Sequence, residues 1–266
     1  MSFLTDMTLG RFYATGSAVH SLDPRVKMIG ATAILVTILL TQSVAAYLFL
    51  TLAIVALVHA AGLRLGFLWR NLSSLKWLLL IVFVMHGALT EGTPFFEAVP
   101  WITREGLAFG AVFAWRVGLM VCTATVLTAT TSPVDLGDGI ERLLRPLEKV
   151  GLPVHELAMV SVIALRFVPT LLDEAGRIIK AQMGRGASFE GGLIARARSA
   201  VPVLVPLFAN AFKRADDLAL AMDARCYRGA VGRTRYVELR LGRNDAVGFA
   251  AVGAIVACTL AISNLL

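Results

Sequence analysis

Charge is scarce in this sequence. Only 16% of its 266 residues are Asp, Glu, Lys or Arg, against about a quarter in an ordinary soluble domain. From Met28 to Leu63 there are none, and His59 and Tyr47 are the only titratable side chains of that stretch. Such a run is too long for a soluble core. One bilayer crossing needs roughly 20 apolar residues, and fewer than about 17 is marginal, so two crossings fit.

Cysteine is as sparse. Cys122, Cys226 and Cys258 stand alone, with no C-x-x-C and no even set to pair. No disulfide and no metal is placed on them, and they read as small packing residues. No short apolar region with a small-residue cleavage site precedes the first long run, so a cleavable signal peptide is not expected. A phosphate-cradling G-x-x-x-x-G-K-[ST] is missing, as are H-E-x-x-H and G-x-S-x-G. The chain is therefore expected to be no enzyme and not to hydrolyse ATP itself. A membrane-embedded enzyme remains an alternative that turnover by the isolated protein would revive. A proton-coupled secondary transporter is a second alternative. Against it stands the lack of a carboxylate within a span near His59 or His86.

What is present is apolar. Hydrophobic residues make up 57% of the chain, and the mean hydropathy is +0.74. Spans are expected near Met28–Thr41, Ala45–Ala61, Trp77–Thr90, Gly106–Thr130 and Asp245–Leu266, the first and third short for a bilayer. The loop GLRLGFLWRNLSSLK carries Arg64, Arg70 and Lys76 without an acid, whereas TEGTPFFEAVPWITRE carries Glu91, Glu97 and Glu105 against Arg104 alone. By the positive-inside rule the first loop and the N-terminus are cytoplasmic and the second loop external.

The fold class expected is all-α. It is a polytopic membrane helix bundle with long cytoplasmic amphipathic helices. The divisions are 1–131 (N-terminal membrane helices), 132–244 (cytoplasmic region) and 245–266 (C-terminal membrane helix). The net charge of +7 does not point to nucleic acid, because the cytoplasmic region mixes 17 basic with 12 acidic residues and has no basic patch interleaved with aromatics.

Within that region Leu157, Val160, Ala164, Phe167, Leu171, Ala175, Ile178 and Gln182 recur at helical spacing. A second stripe follows at Leu204, Leu207, Phe208, Ala211, Ala215, Leu218 and Met222. SFEGGLIARARS between them reads as a turn and basic segment, and Pro169 and Pro206 predict kinks. On the first helix Asp173 and Glu174 lie within reach of Arg177 for surface pairing. In the membrane part, Gly106 and Gly110 form a G-x-x-x-G, the pattern of close helix packing. Arg116 sits inside an apolar span, and with His59 and His86 it is left without a role.

Both amphipathic helices end alike, in AQMGRGA and AMDARCYRG. Arg185 and Arg225 share an A-x-x-[GA]-R register with small neighbours Gly184, Gly186, Ala224 and Cys226. Helix capping is one reading. The guanidinium meets the negative end of the macrodipole, worth about 0.3–1 kcal/mol, and Gly186 and Gly229 suit the left-handed cap. Docking is the other, since small neighbours expose a planar five-donor fork to a partner's carboxylate.

Three separated segments carry a resemblance: TLGRFYATGSAVHSLDPRVKM, ALRFVPTLLDEAGRIIKAQMGRGA and AMDARCYRGAVGRTRY. Together, and in this order, they resemble the transmembrane T component of energy-coupling factor (ECF) transporters. The resemblance implies two coupling helices whose Ala-Arg-Gly-type ends seat in grooves of two ABC-type ATPases. It also implies a membrane part that holds a small substrate-binding S component. Arg185 and Arg225 fall on the signature arginines, with Gly184 in place of the first Ala and Cys226 in place of the last Gly. Arg228 and Gly229 are secondary coupling candidates. ATP and Mg2+ would sit on the partner ATPases, with no cofactor on this chain and no metal site. The setting implied is the cell (inner) membrane, and the imported substrate a vitamin, its precursor or a metal ion.

Overall fold

The computed structural model describes residues 16, 17, 19–96, 99–187, 192–229 and 242–265. Parts of the first and third motif segments, and the first residues of the turn expected between the amphipathic helices, lie outside the described residues. The described residues are all-α except for one short β-ribbon. They fall into two compact units, one of residues 16–139 with 242–265 and the other of 140–187 with 192–229.

The first unit opens on a pair of short helices, α1 (Pro24–Leu40) and α2 (Val44–Ala60). Pro24 suits the first turn of α1, where no intrahelical N–H is needed, and the Asp23 carboxylate accepts the Arg25 N–H at 2.9 Å. At 17 residues each helix is about 25 Å long, short of the roughly 30 Å hydrocarbon core. Tyr47, Leu50, Ile54 and Val58 line one face of α2 and bury against Ile34 and Ile38 of α1 and Leu119. Leu39, Leu40, Leu48 and Leu52 point outward. Apolar groups on the outside as well as the inside are what a lipid-facing bundle shows.

The loop expected at 62–76 contains a helix of its own. α3 (Leu65–Ser74) is followed at Leu75 by a 58° bend into α4 (Lys76–Leu89). Leu68 is buried, and Asn71 Nδ2 donates to Thr125 Oγ1 at 3.3 Å, so tertiary packing makes this segment helical. Arg64 and Arg70 stay exposed. After α4 come β1 (Pro94–Phe96) and β2 (Val99–Thr103), paired antiparallel, and then α5 (Arg104–Thr130), whose N-cap Thr103 accepts the Gly106 N–H at 3.1 Å. α6 (Pro133–Leu144) starts in this unit, and α9 (Arg243–Leu265) packs on α1 and α2. Several bundle threonines spend their hydroxyl on their own helix. Thr37, Thr51, Thr123 and Thr259 each donate to the carbonyl four residues back at 2.7–2.9 Å.

In the second unit a 3-10 turn (Arg145–Val150) leads through Gly151 to α7 (Val154–Gly184) and α8 (Leu193–Ala224). Helix begins already at Leu193, inside the segment read as a turn and basic stretch. α7 continues through Pro169, and α8 through Pro202 and Pro206.

By length and composition α5, α7 and α9 can cross a membrane, and the bent α3–α4 pair makes a fourth candidate. α7 qualifies because its apolar face is broad, although its other face is polar. The chain is a multi-pass membrane helix bundle.

Candidate functional site: two arginine-tipped helix ends

The two arginine tips close on the same pair of main-chain bonds. At the end of α7, Arg185 takes the C-cap with φ/ψ of −91°/9°. Gly186 turns left-handed at φ +87°, its N–H donating to the Met183 carbonyl at 3.0 Å. The Ala187 N–H reaches back to the Gln182 carbonyl at 3.0 Å. At the end of α8, Arg225 takes the C-cap with φ/ψ of −93°/13°. Cys226 is left-handed at φ +56°, its N–H donating to Asp223 at 2.9 Å, and the Tyr227 N–H to Met222 at 3.0 Å. Both ends are complete Schellman motifs. The left-handed cap of α8 is thus Cys226 rather than Gly229, because the two closing bonds form there. Gly229, at φ +81°, lies in the chain beyond.

Neither arginine side chain is needed for this geometry. α2 ends in the same motif with Ala61 at its C-cap and Gly62 at φ +67°. There the Gly62 N–H donates to His59 at 3.0 Å and the Leu63 N–H to Val58 at 3.1 Å. Main-chain bonds do the capping, and the guanidiniums are left over. Arg185 and Arg225 are exposed, and neither side chain has a hydrogen bond or ion pair among the described residues. Gly184 and Ala224 are exposed beside them, with nothing within 4 Å of a Cβ built on Gly184 or Gly186. Arg228 is exposed and follows the α8 cap. The tips are thus two open cationic forks with room for a close partner surface.

In the bundle, Gly106 and Gly110 let α5 lie against the α4 backbone. A Cβ on Gly106 would stand 2.6 Å from the His86 carbonyl oxygen, and one on Gly110 2.8 Å from that of Phe83. The His86 ring meets that of Phe113 at a tilt of 43°, with centroids 4.9 Å apart, and His59 is exposed in the last turn of α2. No group of His, Cys, Asp or Glu among the described residues could hold a metal ion. Arg116 gains a role that sequence could not assign, since its Nε donates to the Ile38 carbonyl at 3.1 Å. Ile38 is in the last turn of α1, where carbonyls lack helical partners. A cation there also meets the negative end of the α1 dipole. Nothing in the linear sequence joins these two positions, which lie 78 residues apart.

A family model described as CbiQ, cobalt transport protein, matches residues 15–236 and so spans both tips. The chain belongs to the CbiQ family. Among the relatives of this CbiQ-family chain are proteins named energy-coupling factor transporter transmembrane protein EcfT. That of Thermosediminibacter oceani is 44% identical over 94% of this chain and 95% of its own length. That of Acidaminococcus fermentans is 45% identical over 92% of each. That of Bacillus subtilis is 39% identical over 89% of this chain and 90% of its own. The resemblance to energy-coupling factor T components, read from three motifs, therefore extends along nearly the whole CbiQ-family chain.

Proposed function

We propose that this chain is the transmembrane coupling subunit of an ATP-driven micronutrient importer. It carries motion from two ABC-type ATPases to a small membrane S component that binds a vitamin or metal ion. Arg185 and Arg225 each enter a groove on one ATPase, with Gly184, Gly186, Ala224 and Cys226 permitting close approach and Arg228 and Gly229 adding secondary contacts. ATP and Mg2+ are held by the ATPases, and this chain does no chemistry. The tips and the N-terminus face the cytoplasm, as the basic loop at Arg64, Arg70 and Lys76 indicates.

The observation that carries this reading is the duplication. Two long helices end in the same main-chain motif with an arginine at the same position whose side chain has no partner among the described residues. Two equal sockets on a pair of similar subunits account for such a repeat, and helix capping does not, since α2 is capped without an arginine. For work to be transmitted, the ATPase states must bind the tips with different affinity.

The test is co-purification of the tagged chain with candidate ABC ATPases, comparing wild type, Arg185→Glu, Arg225→Glu and the double variant. Two retained ATPase subunits in wild type, and their release from the double variant while the membrane protein stays folded, support the reading. Equal retention in all four overturns it.

A further inference from the structure

Between the two tips, one carboxylate ties α7 to α8. Glu174 Oε2 accepts from Arg177 Nη2 at 2.7 Å on its own helix and pairs with Arg214 Nη2 of α8 at 3.6 Å. Its Oε1 accepts from Asn210 Nδ2 of α8 at 3.1 Å. The Glu174 side chain is only 19% exposed, whereas that of Arg177 is 67% exposed. Glu174 thus shares its two oxygens between the two helices, with Arg177 as its shortest contact and Asn210 and Arg214 as its partners on α8.

A second polar contact reinforces it. Pro206 has no N–H, so the Pro202 carbonyl four residues back lacks its helical partner. Gln182 Nε2 of α7 donates to that carbonyl at 3.3 Å. As the position on α7 rises from 174 to 182, its partner on α8 falls from 210 to 202, so the helices run antiparallel. Their arginine tips then lie at opposite ends of the pair. Glu174 is eleven residues before Arg185, and Arg214 is eleven before Arg225. At 1.5 Å per residue each arm is about 17 Å long.

We propose that Glu174 is a positioning residue that locks the register of α7 and α8 at the midpoint between the two tips and so sets the separation of Arg185 and Arg225. This rests on the coupling function proposed above and adds a residue to it. Apolar contact alone is non-directional and lets two long stripes slide along each other. A carboxylate shared by donors of both helices fixes one register, as a buried polar pair does in a coiled coil. With equal arms, movement imposed on one tip reaches the other through Glu174 instead of being lost as slippage.

The experiment measures the distance between spin labels at Lys180 and Leu220, both exposed and each one turn or so before a tip. The full-length chain is used, with Cys122 and Cys258 replaced by Ser and Cys226 by Gly. Wild type, Glu174→Ala, Glu174→Gln and the charge swap Glu174→Arg with Arg214→Glu are compared, alone and with the ATPases and Mg-ATP. The inference expects a narrow distance distribution in wild type and a broad one in Glu174→Ala. Glu174→Gln falls between, and the swap narrows the distribution again. Mg-ATP shifts the distance in wild type, and the shift is lost in Glu174→Ala although the ATPases stay bound. A distribution as narrow in Glu174→Ala as in wild type overturns the inference, as does an undiminished Mg-ATP shift. If no ATPase binds even to the chain with its native cysteines, the coupling function itself fails. The measurement on the chain alone still decides whether Glu174 sets the register.

Discussion

Asp245 Oδ1 accepts the backbone N–H of Asp23 at 2.7 Å, joining the start of α9 to the start of α1 across 222 residues of sequence. Its Oδ2 accepts the Gly242 N–H at 2.8 Å, and the residue is 6% exposed. The carboxylate also lies in the first turn of α9, where the helix dipole favours an anion. Removing it strands a buried N–H. Asp245→Ala is expected to lower stability by about 1–3 kcal/mol. Asp245→Asn keeps one acceptor oxygen and should fall between Ala and wild type. Thermal unfolding in a fixed detergent, with α9 monitored by a local probe, gives the order.

Gly106 and Gly110 lie against main-chain oxygens of α4, which cannot rotate aside as a side chain can. Gly106→Ala and Gly110→Ala are expected to push α5 off α4 and destabilise the bundle by about 1–3 kcal/mol each. Gly118 supplies the control, because its added Cβ would stand 3.6 Å from Leu72 Cδ1, an ordinary contact. Gly118→Ala should be nearly neutral, and the same unfolding assay separates the three.

Cys226 holds a left-handed conformation that costs a residue with a Cβ roughly 1–2 kcal/mol relative to glycine. Cys226→Gly is expected to tighten the α8 end. Hydrogen exchange at the Cys226 and Tyr227 amides, whose bonds close the motif, should slow about fivefold or more for 1 kcal/mol. Gly186→Ala makes the opposite change at α7 and should speed exchange at Ala187. ATPase capture should survive Cys226→Gly, because the added residue is smaller still.

Because both tips have the same backbone, the two arginines should respond alike. Truncating either to Ala is expected to cost about 2–5 kcal/mol of binding at its own socket if it pairs with a buried acid there. Arg185→Lys and Arg225→Lys keep the charge but lose the planar fork, so they should fall short of wild type by similar amounts. Affinity measured by titrating the ATPase onto immobilised chain reads both. Full affinity in the lysine variants would show that charge alone suffices.

Much of the geometry of the candidate site was legible in the linear sequence because helix ends are local. The bonds that close each tip span at most six residues, so the spacing of Ala181, Gly184, Arg185 and Gly186 already carries its geometry. Its repeat at Ala221, Ala224, Arg225 and Cys226 could be seen without a fold. The exact cap of α8 was less legible. Gly229 has the composition of a cap, yet the chain closes at Cys226, because hydrogen-bond closure at the first opportunity outweighs the Cβ penalty there. α3 was illegible for a different reason. Its basic residues read as a loop, and its helix depends on Leu68 and Asn71 meeting neighbours brought close by the bundle.

The sequence by itself determined the membrane setting, the two long amphipathic helices and the arginine at the end of each. Those follow from apolar run length, 3.6-residue periodicity and hydrogen bonds between near neighbours. Only the tertiary structure decided that Arg116 serves the Ile38 carbonyl, that Asp245 holds Asp23, and that Glu174 joins Asn210 and Arg214. Each of those polar groups had several chemically suitable partners along the chain. Which one it received depends on where helix packing puts them, and for the buried ones, such as Asp245 and Asp23, a group left without its partner is costly enough to make that choice binding.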